Sequence, residues 1–207
     1  MPGEAEEELL NVYDAEGRVT GALPRREAKR SGRAVGAVNA LVINGHGELL
    51  MQRRPADKEN GGLWDKSVGG HVSAGESFDE TLVREAGEEL FDDPRAKQVR
   101  LVTDAAAREA RDFDLTRGVL LHPVERRFNL RDVRHAPGGG VRRVLYHLAI
   151  YAGRTELSLH AFRPQPSEIA ELRYVPVDDV DAMLLEGRLA PNMAFLWLTQ
   201  AQTLLRR

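Results

Sequence analysis

Glu85, Glu88 and Glu89 are the residues of this chain best spaced to do chemistry, with Arg84 flanking them. On a helix, at ~100° per residue, they fall within an arc of roughly 100°. Carboxylates so close together raise one another's pKa unless a cation sits between them. Hard divalent cations prefer such oxygen ligands, and Mg2+ keeps open positions for water and substrate phosphate. A solvated acidic helix face carries the same residues. The segment in front separates the two readings. Gly69, Gly70 and Gly75 let the backbone come close to a ligand and expose amides or carbonyls to it.

Positioning these groups is the task of a helix whose start is marked. Ser77 and Glu80 form an S-x-x-E capping box, so Ser77 is the N-cap and Phe78 the first helical residue. Leu82, Val83, Ala86 and Leu90 recur at helical spacing and predict a buried stripe.

The rest of the chain narrows the function classes. With 207 residues it is long enough for one domain with a real core. A hydrophobic fraction of 42% and a charged fraction of 29% are those of a globular protein. A net charge of −3 gives no electrostatic reason to expect nucleic acid as a partner. The absence of cysteine excludes disulfides, thiolate metal sites and cysteine nucleophiles. Residues 1–8 read as a mobile acidic tail without the features of a signal peptide. No apolar run approaches membrane-spanning length, so the expected location is cytoplasmic, with no membrane partner.

Along the chain, residues 9–207 read as a single domain. Strands are expected at Leu9 to Tyr13 and Arg18 to Gly21, then a basic linker from Pro24 to Arg30. Ala34 to Asn44 and Glu48 to Arg54 form a hairpin around Gly45-His46-Gly47. Arg53 and Arg54 end it and are candidate substrate contacts. Trp64 reads as a core anchor. Gln98 to Val102, Arg142 to Tyr151 and Leu172 to Val177 are further strands, and Asp178 caps a short helix ending at Gly187. Pro191 opens the last helix. Residues 103–140 are the least readable; a helix over Ala105 to Arg111, a strand over Val119 to Arg127 and a turn at Pro137 to Gly140 are expected there. Hairpins with helices between them fit an α/β class, an α/β/α sandwich with a mixed sheet.

The segment from Gly70 to Glu89 resembles the Nudix box: a glycine, five residues, a glutamate, seven residues, then Arg-Glu-x-x-Glu-Glu-x-Gly. Gly70, Glu76, Arg84, Glu85, Glu88 and Glu89 fall at matching positions. Phe91 stands where the box has its closing glycine, so Asp92-Asp93-Pro94 must end the helix instead. Beyond the box, Leu9 to Asp14, Asn44-Gly45, Gln52 to Arg54, Trp64-Asp65, Ser67-Val68 and Glu168 to Val180 resemble the branch of isopentenyl-diphosphate isomerases and their hydrolase-like relatives. The resemblance covers roughly two-thirds of the chain and leaves out 103–140.

The resemblance implies a Nudix-like fold and a Mg2+-dependent (or Mn2+-dependent) hydrolase that cleaves a pyrophosphate bond in a small-molecule diphosphate. It implies metal ligands at Glu85, Glu88, Glu89 and the Gly69 carbonyl, with Arg84 orienting the carboxylates. Glu76 reads as a structural or outer-shell group. Glu168 is the candidate general base outside the box, with Glu171 a weaker one and Glu85 an alternative. His71 reads either as a phosphate or metal contact or as a histidine packed on the loop. A homodimer is a compatible assembly. Two other classes stay open, an isomerase and a non-catalytic binding module. Against the isomerase, Gly69 stands where its cysteine would be, and no histidine lies between Val12 and Gly45.

Overall fold

A computed structural model of the chain describes residues 7–103, 112–135 and 141–205. The strands are β1 (Leu9–Tyr13), β2 (Val19–Pro24), β3 (Ala34–Ile43), β4 (Glu48–Arg53), β5 (Trp64–Asp65), β6 (Val68–His71), β7 (Val99–Leu101), β8 (Val119–His135), β9 (Val141–Thr155) and β10 (Glu171–Pro176). The α-helices are α1 (Arg25–Ala28), α2 (Phe78–Phe91), α3 (Val177–Leu185) and α4 (Pro191–Leu205). A 3-10 turn spans Leu159–Ala161.

The spine is β3. Along one edge it runs parallel to β9, from Ala34 opposite Leu145 to Ile43 opposite Arg154. Along the other edge it pairs antiparallel with three partners in turn: β1 at Ala34 and Val35, β6 from Ala37 to Ala40, and β4 at Val42 and Ile43. With β7 parallel to β8 and β10 antiparallel to β4, the sheet is mixed. Side chains alternate across it. Val38, Ala40 and Val42 pack with Phe78, Leu82, Ala86 and Leu90 of α2. Val35, Ala37 and Leu41 pack with Val180 and Met183 of α3 and Met193, Leu196 and Trp197 of α4. Helices therefore cover both faces, and the α/β/α sandwich is the observed architecture. Leu82 and Leu90 are fully buried; each such side chain contributes about 1.5–3 kcal/mol.

Several elements differ from the sequence reading. The basic linker contains the short α1, started by Pro24. The strand expected from Val119 to Arg127 runs on to His135, and its partner β9 to Thr155, because each is the other's neighbour over nearly its full length. Asp178 lies inside α3, whose N-cap is Pro176. Of the tail, 1–6 lie outside the described residues, but Glu8 is not loose: it pairs with Arg25 at 2.7 Å and accepts from the Ser73 hydroxyl at 3.1 Å. The helix expected at Ala105 to Arg111 and the turn expected at Pro137 to Gly140 also fall outside. Among the described residues no helix is long and apolar enough to cross a membrane.

Candidate active site

The capping box closes as expected. The Ser77 hydroxyl accepts from the Glu80 N–H and the Glu80 carboxylate accepts from the Ser77 N–H, at 3.2 and 2.8 Å. This fixes where α2 starts, and with it the face each glutamate takes. Val83 is only half-buried; Thr81 and Gly87 join Leu82, Ala86 and Leu90 on the buried side instead. The helix ends at Asp92, which takes the left-handed conformation (φ 53°, ψ 32°) that the box leaves to glycine. The Asp93 N–H then reaches back to the Gly87 carbonyl at 3.1 Å. Asp93 folds so closely over Gly87 that a side chain there would meet its carbonyl, which accounts for a glycine inside the helix.

Arg84 is the hub of the carboxylate face. Its guanidinium donates twice to Glu76, at 2.8 and 3.1 Å, once to Glu88 at 2.8 Å, and lies 3.1 Å from a Glu85 oxygen. Burial works against the Arg84 cation, but its carboxylate partners outweigh that and hold it charged above the ordinary range. Burial also raises Glu76, but hydrogen bonds from Arg84 and Thr81 prevail and keep it below the usual carboxylate range. Asn11 of β1 ties this corner to the sheet: its amide donates to the Glu76 carbonyl at 2.9 Å and accepts from the Gly75 N–H at 3.2 Å.

Glu89 turns the other way. One of its oxygens accepts from the Gly69 N–H and from Gln52 of β4, both at 2.9 Å. The Gly69 N–H is thus engaged by Glu89. Burial pushes Glu89 up to about 7, against these two donors. Burial, reinforced by Glu89, pushes Glu85 up to about 8, with Arg84 opposing.

Among the described residues no three His, Cys, Asp or Glu side chains are gathered closely enough to hold a metal ion. The expected set of Glu85, Glu88 and Glu89 is on one helix face, but Arg84 holds two of its members and Gly69 and Gln52 the third. The donor chemistry nevertheless fits a hard divalent cation. Glu85 and Glu89 are half-buried carboxylates, and the charge of Glu89 raises Glu85, a tension that a cation between them relieves.

The remaining candidates are dispersed. Glu168 is exposed in the loop before β10 and pairs with Lys58 at 2.8 Å, outside the Arg84 network. Glu171 is taken by Arg173 and Arg53. Arg53 also donates to the Gly62 carbonyl, and Arg54 to the Glu59 carbonyl and to Asp65, so both arginines brace the loop between β4 and β5. His71 lies opposite Ala37 on the α4 side of the sheet, 3.5 Å from the Tyr146 hydroxyl. It does not face the glutamates of α2. Trp64 is buried in the core, with Arg173 stacked over its ring.

The parts that several side chains play here were not read from the sequence. Ser67 bridges the splayed β3 and β4, accepting from the Val42 N–H at 2.8 Å and donating to the Leu50 carbonyl at 2.5 Å. Lys66 is buried with its ammonium on both oxygens of Asp65, at 3.1 and 3.2 Å. Burial works against the Asp65 charge, but Lys66 and Arg54 outweigh it and hold its carboxyl low. The available signal was polar residues set inside apolar strands: Asn11, Asn39 and Gln52 each interrupt a hydrophobic run.

The NUDIX domain profile matches residues 33–196, a span that includes every carboxylate of α2. The chain belongs to the Nudix family. An uncharacterised Nudix hydrolase of Pseudomonas aeruginosa is 39% identical over 84 residues, covering 40% of this chain and 50% of that protein. One from Clostridium acetobutylicum is 26% identical over 183 residues, 86% of this chain and 75% of that protein. An isopentenyl-diphosphate Delta-isomerase of Photorhabdus laumondii is 32% identical over 93 residues, 44% of this chain and 52% of that enzyme. Against the Pseudomonas and Photorhabdus proteins the chain spans about half their length. Among solved structures, a Deinococcus radiodurans protein has a TM-score of 0.63 at 22% identity, over 91% of this chain and 96% of that one. The NUDIX domain of Shewanella oneidensis NrtR, crystallised with ADP ribose, has a TM-score of 0.50 at 16% identity, over 82% of this chain and 87% of that one. These two show the Nudix fold.

Proposed function

We propose that this Nudix chain hydrolyses a pyrophosphate bond in an organic diphosphate with the help of Mg2+ or Mn2+. The observation that carries the reading is the α2 face, where Arg84 and the Gly69 amide hold Glu85, Glu88 and Glu89 around one short stretch of β6. Glu85, Glu88 and Glu89 would hold the cation, with the Gly69 backbone beside them. When bound, it supplies neutralisation of phosphate charge and a more acidic water. Arg84 fixes the carboxylates by bonding Glu76 on the far side, so that they need not reorganise during the reaction. Removing the attacking water's proton falls to a carboxylate, Glu168 once released from Lys58, or Glu85 within the face itself.

The isomerase reading is weaker in this chain. Gly69 stands where the isomerase branch needs its cysteine, and the space a side chain at 69 would enter is taken by Lys66. The ADP ribose bound by the Shewanella domain puts nucleoside diphosphate derivatives first among substrates to try. The test is a panel of nucleoside and isoprenoid diphosphates with Mg2+ or Mn2+. Metal-dependent release of phosphate or a nucleoside monophosphate is expected. Deuterium uptake into isopentenyl diphosphate in deuterated water, lost in Glu88→Gln, would replace the hydrolase with an isomerase.

A further inference from the structure

Gln52 follows the apolar run Leu49-Leu50-Met51 of β4 and is nevertheless 6% exposed. Side chains alternate along a strand, so Gln52 shares a face with Leu50, which packs in the α2 core. Its main chain is paired on both edges, with Asp65 of β5 and with Leu172 of β10. The Gln52 Nε2 donates twice, to the Ser67 carbonyl at 2.6 Å and to the Glu89 carboxylate at 2.9 Å. Both partners are acceptors, so the two hydrogens of the amide are committed and the group cannot turn over without losing both bonds. Ser67 is fully buried and is itself fixed, to β3 through the Val42 N–H and to β4 through the Leu50 carbonyl.

Glu89 is gripped differently from its neighbours on α2. A cation, Arg84, lies on Glu85 and Glu88. The donors to Glu89 are the Gln52 amide and the Gly69 N–H, both neutral. They reach one oxygen, Oε2, which orients the carboxyl group and leaves Oε1 to neither of them. A neutral donor fixes a carboxylate without cancelling its charge, the service that outer partners render to metal-binding side chains. A cation in place of Gln52 would compete with a metal ion for Glu89. An apolar residue would withdraw the donor from the Ser67 carbonyl and free Glu89 to turn.

We propose that Gln52 is a positioning residue of the catalytic centre: it holds Glu89 in the orientation in which this carboxylate receives the divalent cation. The proposal rests on the reading of the α2 glutamates as cation ligands and extends it to a residue of β4 that acts through Glu89.

The test uses the full chain, Gln52→Met, Gln52→Asn, Glu89→Gln, and Glu89→Gln combined with either change at Gln52. Methionine keeps the length of glutamine and removes both hydrogen bonds; asparagine keeps the amide but is one methylene shorter. Mn2+ alone is titrated without substrate, and the free ion is read by electron paramagnetic resonance. Gln52→Met should weaken Mn2+ binding about tenfold to a hundredfold, with Gln52→Asn in the same direction. Glu89→Gln should weaken binding by itself, and adding Gln52→Met should then cost little more, because the group it acts through has changed. In the metal-free chain the Gly69 amide resonance should move in Gln52→Met, since its acceptor has turned. In hydrolysis, the Mn2+ concentration for half-maximal rate should rise by a like factor, while KM for the diphosphate at saturating Mn2+ stays within about twofold.

Mn2+ affinity and the Gly69 amide unchanged in Gln52→Met, with binding weakened in Glu89→Gln, would overturn the proposal and leave the metal site standing. An equal loss in both backgrounds would overturn it as well, since Gln52 would then act on the fold at large. If Gln52→Met does not fold, Gln52→Asn carries the same comparisons. A wild-type chain that takes up no Mn2+ would remove the proposal together with the metal reading. If Gln52 governs Mn2+ binding only where Glu89 is present and no diphosphate is cleaved, the hydrolase reading fails and the positioning of Glu89 stands.

Discussion

The backbone of Gly70 passes so close to the Glu85 carboxyl group that a methyl group at position 70 would overlap it. The need for glycine at this place in β6 is a matter of space rather than of backbone angle, since Gly70 has no positive φ. Gly70→Ala should therefore displace Glu85 and leave the fold intact. Activity on any diphosphate is expected to fall by about two orders of magnitude or more, the scale of a misplaced catalytic group. Heteronuclear NMR of the variant should show shifts concentrated on β6 and α2. Wild-type turnover in Gly70→Ala would mean that Glu85 is not needed where it stands.

The pH dependence has a definite sign. Glu85 and Glu89 have folded-state values of about 8 and about 7, above the ordinary carboxylate value of 4.5. The metal-free fold holds protons there that the unfolded chain releases. Their stabilising contribution is complete below the ordinary value and is lost as pH rises through about 7 to 8. Mg2+ binds the deprotonated groups, so the melting shift it causes should grow over the same window. Thermal unfolding in chelator and in millimolar Mg2+, at about pH 6 and about pH 8.5, measures both effects. The loss in chelator should be smaller in Glu85→Gln. An equal Mg2+ shift at both pH values would count against the site.

Charge removal without change of shape separates ligand from base. Glu88→Gln and Glu89→Gln should each lower kcat by orders of magnitude with the chain still folded. Glu168→Gln should lower it by about tenfold to a hundredfold if Glu168 removes the water's proton, and hardly at all if Glu85 does so. Steady-state kinetics with circular dichroism as the control for folding decides between them. Hydrolysis that persists in both Glu88→Gln and Glu89→Gln would remove the mechanism.

Asp92 carries a conformational cost that glycine would not. A non-glycine residue in the left-handed region costs roughly 1–2 kcal/mol, part of which glycine returns through a more mobile unfolded chain. An acidic group is also unfavourable at the end of a helix. Asp92→Gly should raise stability by about 0.5–1 kcal/mol, read as a higher denaturation midpoint. A lower midpoint would show that the Asp92 side chain stabilises the exit by a contact of its own.

What could be read in the sequence was local. The capping box, the α2 stripe and the carboxylate arc follow from spacing along a single helix, and the structure keeps them except at Val83. Contacts between distant segments were not legible. Arg84 with Glu76 and Gln52 with Glu89 depend on how β4, β6 and α2 meet, which no periodicity encodes. The same holds for Glu168, whose place before the last strand said nothing of Lys58, far away in the chain. The length of β8 was underestimated because its outer half is polar, and strand pairing there overrides composition; β9 runs past the expected end at Tyr151 through Ala152 to Thr155, which pair with Val119 to His122.

The double pairing of β3 bears on how the molecule comes to exist. Ala34 to Ile43 takes its parallel neighbour from Leu145 to Arg154, after most of the chain has been made. Until then one side of a long apolar strand has no hydrogen-bonding partner, a state prone to association between chains. Closing so large a loop is also slow, since its entropy is lost before the contacts reward it. Synthesis should therefore release a chain whose glutamate helix is already wound, while Gly69 and Asn39 wait on the last third of the sequence to be locked into place. Refolding experiments should accordingly show helix signal returning ahead of any binding competence.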